Sequence, residues 1–292
     1  MKKNVLTSAL MCAVVMLAQA QTSELYVPRE IKKAYENGTR SYDGKPGSKY
    51  WQNTVDYTIE VEVTPENREI SGSEKAVFNN NSPDDLNRLV IRLYHDVFRK
   101  GNQRGMKVKE DDINEGVEIS RLVVGGKEIN LTDSTDRRGT NMVVTLPKSM
   151  AANSATTVEI DWKMIIPETT RRTGTYDGTS FFVSYWYPQI AVYDDLFGWD
   201  MLSYDFSTEF YNNLANYDVK IKAPENFTVM ATGVLQNAKE VFKADKLALY
   251  NQAKTSDEPV VIISVDDATN GYAHQSGTWN YKATEVTDFS FC

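Results

Sequence analysis

The residues that could do chemistry are few, and they are scattered along the chain. Among 292 residues there are two histidines, His95 and His274, and two cysteines. A catalytic zinc needs three protein ligands, often including two histidines at the helical spacing of H-E-x-x-H. Neither histidine has such a partner in the sequence. We therefore predict no catalytic residue and no metal ligand within this chain.

Motifs for nucleophilic catalysis and phosphate binding are also missing. The sequence has no G-x-S-x-G turn, which would expose an activated serine, and no G-x-x-x-x-G-K loop. Adjacent aspartates occur as Asp84-Asp85, Asp111-Asp112, Asp194-Asp195 and Asp266-Asp267. Neighbouring carboxylates cannot face each other across a cleft as the pair of a glycosidase does. Solvated turns explain these pairs, and a calcium site at one of them is the alternative.

The composition indicates a folded, acidic protein with a substantial core. Hydrophobic residues make up 41% of the chain and aromatic residues 11%, which excludes a disordered polypeptide. The net charge is −8, so the chain supplies no basic surface for a phosphate backbone. We therefore expect no nucleic-acid partner.

The first twenty residues have the pattern of a cleavable signal peptide. Lys2 and Lys3 precede the apolar run Val5–Leu17, and Ala18 and Ala20 form a small-x-small cleavage site. We expect cleavage after Ala20 and a periplasmic or secreted protein. The run is too short to span a bilayer and no longer one follows, so we predict no transmembrane segment.

Beyond the signal peptide, a short helix gives way to many strands. In the lead-in segment, residues 21–50, Pro28 opens an amphipathic helix that Asn37-Gly38 ends. In residues 51–292, alternating apolar and polar positions predict strands over these runs: Val55–Val63, 69–79, Leu89–Leu93, Ile119–Val124, Lys127–Leu131, Met142–Leu146, Thr156–Ile166, Ser180–Tyr187, Tyr217–Lys222, Thr228–Leu235 and Val260–Val265. The expected fold class is all-β, a sandwich or an open sheet, with a second helical stretch at 238–252.

The densest aromatic stretch is Phe181–Pro188, where Tyr185, Trp186 and Tyr187 are consecutive. Successive side chains of a strand point to opposite faces, so core packing explains only one side of this run. We expect the other side to face solvent, a ligand or a second domain, since exposed aromatic surface usually marks an interface.

The end of the chain also reads as an apolar strand. In Glu285–Cys292, Phe289 and Phe291 fall on one side of the alternation. Natural termini are usually polar and frayed. We therefore expect the polypeptide to continue beyond Cys292 and the two phenylalanines to lack cover. The alternative is a C-terminal strand that is docked in the sheet.

Five segments resemble zinc aminopeptidases of peptidase family M1, the aminopeptidase N and leukotriene hydrolase type, in its exported bacterial branch. They are ENGTRSYDGKPGSKYWQN (36–53), VIRLYHDVF (90–98), FFVSYWYPQIAVYDD with GWD (181–200), EFYNNLANYDVKIKAPENFTVMATGVL (209–235) and TWNYKATEVTDFSF (278–291). The resemblance implies that residues 51–292 form the family's N-terminal domain, a saddle-shaped β-structure. The family's H-E-x-x-H helix, further Glu ligand and G-x-M-E-N strand are not in this sequence.

The resemblance also implies roles for Ser184, Tyr185, Trp186 and Tyr187. In the family, the matching strand reaches the active-site cleft and helps to hold the free N-terminus of the peptide substrate. The family often has Gln at the position of Tyr185, and Glu or Gln at that of Tyr187, so all four residues are carried over only as walls of the cleft. Zinc is expected only in a catalytic domain, in the same or a neighbouring chain, and residues 1–292 alone are expected to be inactive.

Two other functions fit the residues. A carbohydrate-binding sandwich would stack sugar rings on Trp186, Tyr187, Trp199 and Tyr204, and a stand-alone adaptor would offer the aromatic patch to a partner protein. A flat, exposed aromatic row would favour the carbohydrate-binding function, whereas burial of Trp186 against a second domain would count against it.

Overall fold

The computed structural model describes residues 26–169 and 171–292. The chain divides into two compact units, residues up to Tyr50 and residues Trp51–Cys292. The predicted signal peptide, residues 1–20 with its cleavage site after Ala20, lies outside the described residues. Within the described ranges, no helix has the length and apolar character needed to cross a membrane.

The first unit contains the predicted N-terminal helix. Helix α1, Arg29–Asn37, begins after Pro28 and ends at Gly38, whose φ of 75° is a left-handed conformation that glycine adopts without strain. The amide of Gly38 closes the last turn by donating to the Tyr35 carbonyl oxygen at 3.1 Å. The Tyr35 ring also stacks on Tyr42, with 4.0 Å between ring centroids.

The second unit is mostly β-structure, which confirms the all-β class predicted from the alternation. Its strands are β1 (Thr54–Thr64), β2 (Glu69–Asn80), β3 (Leu86–Arg92), β4 (Glu118–Val124), β5 (Lys127–Glu128), β6 (Thr135–Arg138), β7 (Asn141–Met150), β8 (Ser154–Ile165), β9 (Gly174–Thr175), β10 (Phe181–Phe182), β11 (Gln189–Ile190), β12 (Tyr193–Asp194), β13 (Gly198–Trp199), β14 (Ala215–Lys222), β15 (Val234–Leu235) and β16 (Thr278–Val286). Its helices are α2 (Ala238–Val241), α3 (Ala244–Ala253) and α4 (Val265–Thr269).

Eight strands form one mixed sheet in the order β15-β16-β14-β1-β2-β8-β4-β5. Strands β1 and β14 pair in parallel, from Val55 opposite Ala215 to Glu62 opposite Lys222. The other neighbours are antiparallel. Residues of β1 and β14 alternate between buried and exposed because strand side chains point to opposite faces. One face of the sheet therefore supplies the core and the other meets water.

A four-stranded sheet, in the order β11-β3-β7-β6, contributes to the same core. Ile59 and Ile160 come from the large sheet, and Leu89 and Val144 come from the smaller one. All four side chains are at most 1% exposed. Two-stranded pairs, β9 with β10 and β12 with β13, complete the β-structure of the described residues. The two larger sheets thus share a single hydrophobic core.

The predicted strand Val260–Val265 is wrong, because a helix starts at its end. Ser264 caps α4: its Oγ accepts a hydrogen bond from the Asp267 amide at 3.1 Å. The Asp267 carboxylate accepts one from the Ser264 amide at 2.8 Å. This reciprocal capping box fixes a helix start, and it prevails over the weak alternation of the preceding residues.

The last residues of the chain are docked between two other segments. Phe291 and Val183 exchange backbone hydrogen bonds of 3.0 and 2.9 Å, and Cys292 and Met230 exchange two of 2.8 Å. Phe289 is 0% exposed and Phe291 7%. The expectation that these phenylalanines lack cover is therefore wrong, and the docked alternative agrees with the observed pairing.

Candidate functional site

The four residues predicted to wall a cleft follow strand β10 without continuing it. Regular pairing ends at Phe182, opposite Gly174, and Val183 forms only an isolated bridge to Phe291. Tyr185 has a φ of 46°, in the left-handed region that residues other than glycine rarely adopt. The strand predicted for Ser180–Tyr187 is therefore wrong beyond Phe182.

Because the backbone changes direction here, Tyr185, Trp186 and Tyr187 do not have the exposed side that was predicted. Tyr185, Trp186 and Tyr187 are 1%, 0% and 1% exposed, and Ser184 is half-buried. A left-handed residue interrupts the strand geometry in which neighbouring side chains point to opposite faces. The expectation that one side of the run faces solvent, a ligand or a second domain is wrong for these three rings. Their part in a substrate cleft stays a prediction.

Trp186 is covered by the docked end of the chain. Its indole Nε1 donates a hydrogen bond of 2.8 Å to the Phe289 carbonyl oxygen. Its ring meets Phe291 edge to face at a centroid distance of 5.2 Å and lies 5.7 Å from Trp162. Because the indole nitrogen has a partner and the ring is enclosed, Trp186 serves the core and has no face free for a ligand.

Tyr185 belongs to a second, smaller aromatic cluster. The buried members of this cluster are Tyr94, Val97, Phe98, Tyr185, Tyr204 and Phe206, and Met106, Val108 and Phe210 pack against them. The Tyr185 ring lies 5.4 Å from Tyr204 and 5.2 Å from Phe210. Burial raises the pKa of the Tyr185 hydroxyl, so this group is a neutral phenol at physiological pH.

A charged pair lies over the outer side of this aromatic cluster. The Arg172 guanidinium stands 5.4 Å from the centre of the Phe210 ring. It also donates to both carboxylate oxygens of Glu209, each at 2.8 Å. These hydrogen bonds hold the pKa of Glu209 below its ordinary value. Arg172 and Glu209 are thus solvent-exposed polar groups at the edge of this cluster.

A buried arginine, Arg92, stabilises the loop that follows β13. Arg92 is 2% exposed and forms an ion pair with Asp200. Its Nη1 also donates to the Asn141 side-chain oxygen and to the Leu202 carbonyl oxygen, each at 2.5 Å. The sequence gives no sign of this arrangement, because these partners lie 49 to 110 residues from Arg92 along the chain.

A carboxylate of the docked segment completes the buried surroundings of the aromatic run. Oδ1 of Asp288 accepts hydrogen bonds from the Tyr187 hydroxyl at 3.1 Å and from Gln189 Nε2 at 2.8 Å. The Tyr187 hydroxyl also lies 2.8 Å from that of Tyr217. Burial raises the pKa of Asp288 to about 6. Sequence reasoning missed Asp288 and Gln189, because only the tertiary fold brings them together.

Neither histidine is placed for metal binding or general base catalysis. His95 is fully buried, its Nε2 lies 2.7 Å from the Ile165 carbonyl oxygen, and burial lowers its pKa to about 4. Nε2 of His274 is engaged by the Thr228 hydroxyl at 2.8 Å, and burial lowers the His274 pKa too. In the described part of the chain, no three His, Cys, Asp or Glu residues are gathered around a possible metal position. The described residues therefore do not fit a zinc site.

The four aromatic residues considered for sugar stacking are all buried. Trp186 and Tyr187 are 0% and 1% exposed, and Trp199 and Tyr204 are 6% and 4% exposed. A sugar ring stacks on the open face of an aromatic side chain, and none of these residues offers one. Their burial counts against the carbohydrate-binding alternative, although the burying groups belong to this chain and not to a second domain.

Among the described residues, an apolar groove of about 730 Å³ lies beside strand β10. Phe181, Phe182, Phe227, Met230 and Phe291 contribute much of its wall. A small set of converging polar groups normally fixes a ligand's orientation in such a groove. The groove carries none of the cleft-wall residues, so we do not assign it to the candidate site.

No protein-family model matches the sequence, and no curated protein matches it. Among solved structures, an M1 zinc metallopeptidase from Deinococcus radiodurans matches over 84% of this chain, at 11% identity and a TM-score of 0.42. A variant of a two-domain M1 zinc metallopeptidase bound to L-arginine matches over 85%, at 10% identity and a TM-score of 0.41. Yeast LTA4 hydrolase in complex with bestatin matches over 91%, at 11% identity and a TM-score of 0.41. This chain spans 43% of the first two structures and 32% of the third.

Proposed function

We propose that this chain is the non-catalytic N-terminal domain of an exported M1-type metallo-aminopeptidase. In that protein, residues outside this chain would hold the zinc and remove the N-terminal residue of a peptide. The present chain would act as a scaffold, and the loop at Ser184–Tyr187 would form part of the wall of the substrate cleft. Export is proposed from the signal-peptide pattern alone.

One observation carries this proposal: segments with the family resemblance, from 90–98 to 278–291, meet in space. Tyr94, from segment 90–98, lies 4.7 Å from Phe210, of segment 209–235, and Phe210 lies 5.2 Å from Tyr185, of segment 181–200. The Trp186 indole likewise donates a hydrogen bond to the carbonyl oxygen of Phe289, in segment 278–291. Residues that pack directly against each other constrain each other's size and shape, which gives a physical reason for these contacting residues to recur together.

The chemistry of the aromatic run and of Asp288 supports a positioning role and no bond-breaking role. Tyr185 and Tyr187 are buried phenols whose pKa values are raised by burial, so neither is a proton acceptor at physiological pH. General base catalysis requires a group with a pKa near the working pH within reach of the substrate. Asp288 has such a pKa, but its Oδ1 already accepts hydrogen bonds from two neighbouring side chains.

A protein-binding adaptor is the second candidate, and an exposed apolar stretch favours it. Within residues 197–214, five large apolar side chains are exposed: Phe197, Met201, Leu202, Tyr211 and Leu214. Apolar residues concentrated in this way often mark a surface that meets another protein or domain. The same stretch could meet a catalytic domain, so the two candidates differ in whether a zinc peptidase is attached.

The proposal is tested by comparing two purified proteins. One is the chain from residue 21 to Cys292, and the other is the product of the same gene read to its own stop codon. We expect zinc and hydrolysis of amino-acid amides in the longer product only. Stoichiometric zinc and hydrolysis in the 21–292 chain would overturn the proposal. A longer product that binds partners but holds no zinc and hydrolyses nothing would favour the adaptor.

A further inference from the structure

The docked end of the chain and the aromatic loop are joined by more than packing. The backbones of Val183 and Phe291 exchange two hydrogen bonds. Trp186 donates to the Phe289 carbonyl, and Asp288 receives hydrogen bonds from the loop on its carboxylate. These contacts occupy both backbone and side chains of residues 288–291, so that segment cannot move far without disturbing the loop.

The Asp288 side chain makes several of these contacts through a single oxygen, Oδ1. Its Oδ1 accepts from Tyr187 on one side of Pro188 and from Gln189 on the other. The same oxygen accepts from the Phe289 amide at 2.8 Å, which orients the carboxylate relative to its own backbone. One oxygen therefore ties together both ends of the turn around Pro188 and the docked segment.

The loop needs such a tie because its backbone is strained. The left-handed φ of Tyr185 is a strained conformation for a residue that is not glycine. Strain of this kind persists only where the surroundings fix the conformation. Beyond Tyr185, the side chains of Tyr187 and Gln189 both donate to Asp288, in addition to the contact of Tyr187 with Tyr217 and the pairing of Gln189 with β3.

The buried surroundings of Asp288 make this tie sensitive to protonation. Four tyrosines lie within electrostatic range of it: Tyr187, which donates to it, Tyr57 from β1, Tyr217 from β14, and Tyr94. Glu74, on β2, faces Tyr57 and Tyr217. In the described ranges we find no ion pair between Asp288 and a lysine, arginine or histidine. A buried carboxylate without a cation is costly, and the protonated form is correspondingly favoured.

We propose that Asp288 is a positioning residue that couples the segment 288–291 to the loop 184–189, so that the two are ordered or loosened together. The coupling is a property of this chain. Only the assignment of the loop to a substrate cleft rests on the proposed function. If that function holds, residues 288–292 lead towards the catalytic domain, and the coupling ties the placement of that domain to the cleft wall.

Hydrogen–deuterium exchange of the purified chain tests the coupling, with two substitutions at one position. Asp288→Ala removes all three hydrogen bonds at Oδ1, whereas Asp288→Asn keeps a side-chain oxygen that can accept them. We expect Asp288→Ala to lower the protection of residues 184–190 by about tenfold or more, which corresponds to little more than one net hydrogen bond. We expect Asp288→Asn to restore most of it.

The pH dependence of loop protection is a second test, because a contact without a titrating group would not make that protection depend on pH. Burial raises the pKa of Asp288 from its ordinary 3.8 to about 6. The folded loop therefore keeps a proton that the opened loop releases. The contribution of this group is complete below the ordinary value and is lost as the pH rises through about 6. After correction for intrinsic exchange, loop protection should fall between about pH 5 and about pH 8 in the natural chain but not in Asp288→Asn.

Asp218→Ala is the matched control, since Asp218 is an exposed aspartate that pairs with Lys282 at 2.9 Å. It should leave loop protection unchanged. The proposal is overturned if Asp288→Ala leaves residues 184–190 as protected as before, or if it loosens strands β1 and β2 to the same degree. Should Asp288→Ala fail to fold, the pH profile of Asp288→Asn decides alone. None of these measurements involves zinc or hydrolysis, so their failure is distinguishable from failure of the proposed function.

Discussion

Replacing the buried Glu74 by methionine should stabilise the protein, which is unusual for a core substitution. Glu74 is 4% exposed on β2, and its Oε2 has no hydrogen-bond partner. Its neighbours across the sheet are Ile59 and Ile160, at 0% and 1% exposure. A buried polar group without a partner costs about 1–3 kcal/mol. Methionine is similar in length, and it adapts well to irregular core space.

The magnitude depends on pH, and its sign follows from burial. Burial raises the pKa of Glu74 well above its ordinary 4.5, so the folded state holds a proton that the unfolded state releases. The contribution of Glu74 to stability is therefore complete below 4.5 and is lost as the pH rises through the folded-state pKa. Near neutral pH we expect Glu74→Met to raise the free energy of unfolding by about 1–3 kcal/mol, with the gain shrinking in acid.

Urea denaturation at about pH 5 and about pH 8, followed by tryptophan fluorescence, measures this difference. Each kcal/mol should also raise the melting temperature by about 2–4 °C in a chain near this size. Glu60→Met is the control: Glu60 lies on the neighbouring strand with a 62% exposed side chain and pairs with Lys220. It should shift stability by less than about 1 kcal/mol. The reasoning is refuted if Glu74→Met destabilises the chain at both pH values, or if its effect does not grow with pH.

Three further substitutions test other parts of the core by the same denaturation assay. Burial lowers the pKa of His95 from 6.5 to about 4, so its contribution is complete above 6.5 and lost as the pH falls. His95→Gln should reduce the loss of unfolding free energy on acidification by about 3 kcal/mol. An unchanged fall in stability at low pH would count against this. Asp200→Asn leaves the Arg92 charge without its partner and should cost about 3 kcal/mol; a loss typical of surface pairs would contradict the buried placement. Trp186→Ala should cost about 3–5 kcal/mol, and a neutral effect would place the indole outside the core.

The parts of the fold that the sequence could predict are those that depend on residues close together in the chain. The alternation at Val55–Val63 predicted strand β1, observed as Thr54–Thr64, because the two-residue period directly reports a half-buried strand. The helix after Pro28 was predicted correctly from its start and stop residues. In contrast, the parallel pairing of β1 with β14 joins residues 160 positions apart, and no local pattern specifies it.

The failures have identifiable physical causes. The strand predicted for Ser180–Tyr187 ends early because the backbone turns at Tyr185, a conformation maintained by tertiary contacts. Of the strand predicted for Thr228–Leu235, only Val234–Leu235 is regular. A local signal could have corrected one error: Ser264 followed three residues later by Asp267 is the pattern of a helix start.

The position of the aromatic run is visible in the sequence, but its burial is not. Composition marked the aromatic run, yet whether a ring is covered depends on distant segments such as the one that carries Phe289. Buried charges were missed for the same reason. Arg92 and Asp288 look like ordinary surface residues in the sequence, and only their partners explain their burial.

Reading the coding frame beyond the codon for Cys292 tests the central claim most directly. If the chain is the scaffold domain of a metallo-aminopeptidase, the frame stays open and encodes an H-E-x-x-H helix, or an adjacent exported gene does. A stop codon directly after Cys292, with no such motif in the neighbouring genes, would contradict the claim and leave a binding protein as the remaining function.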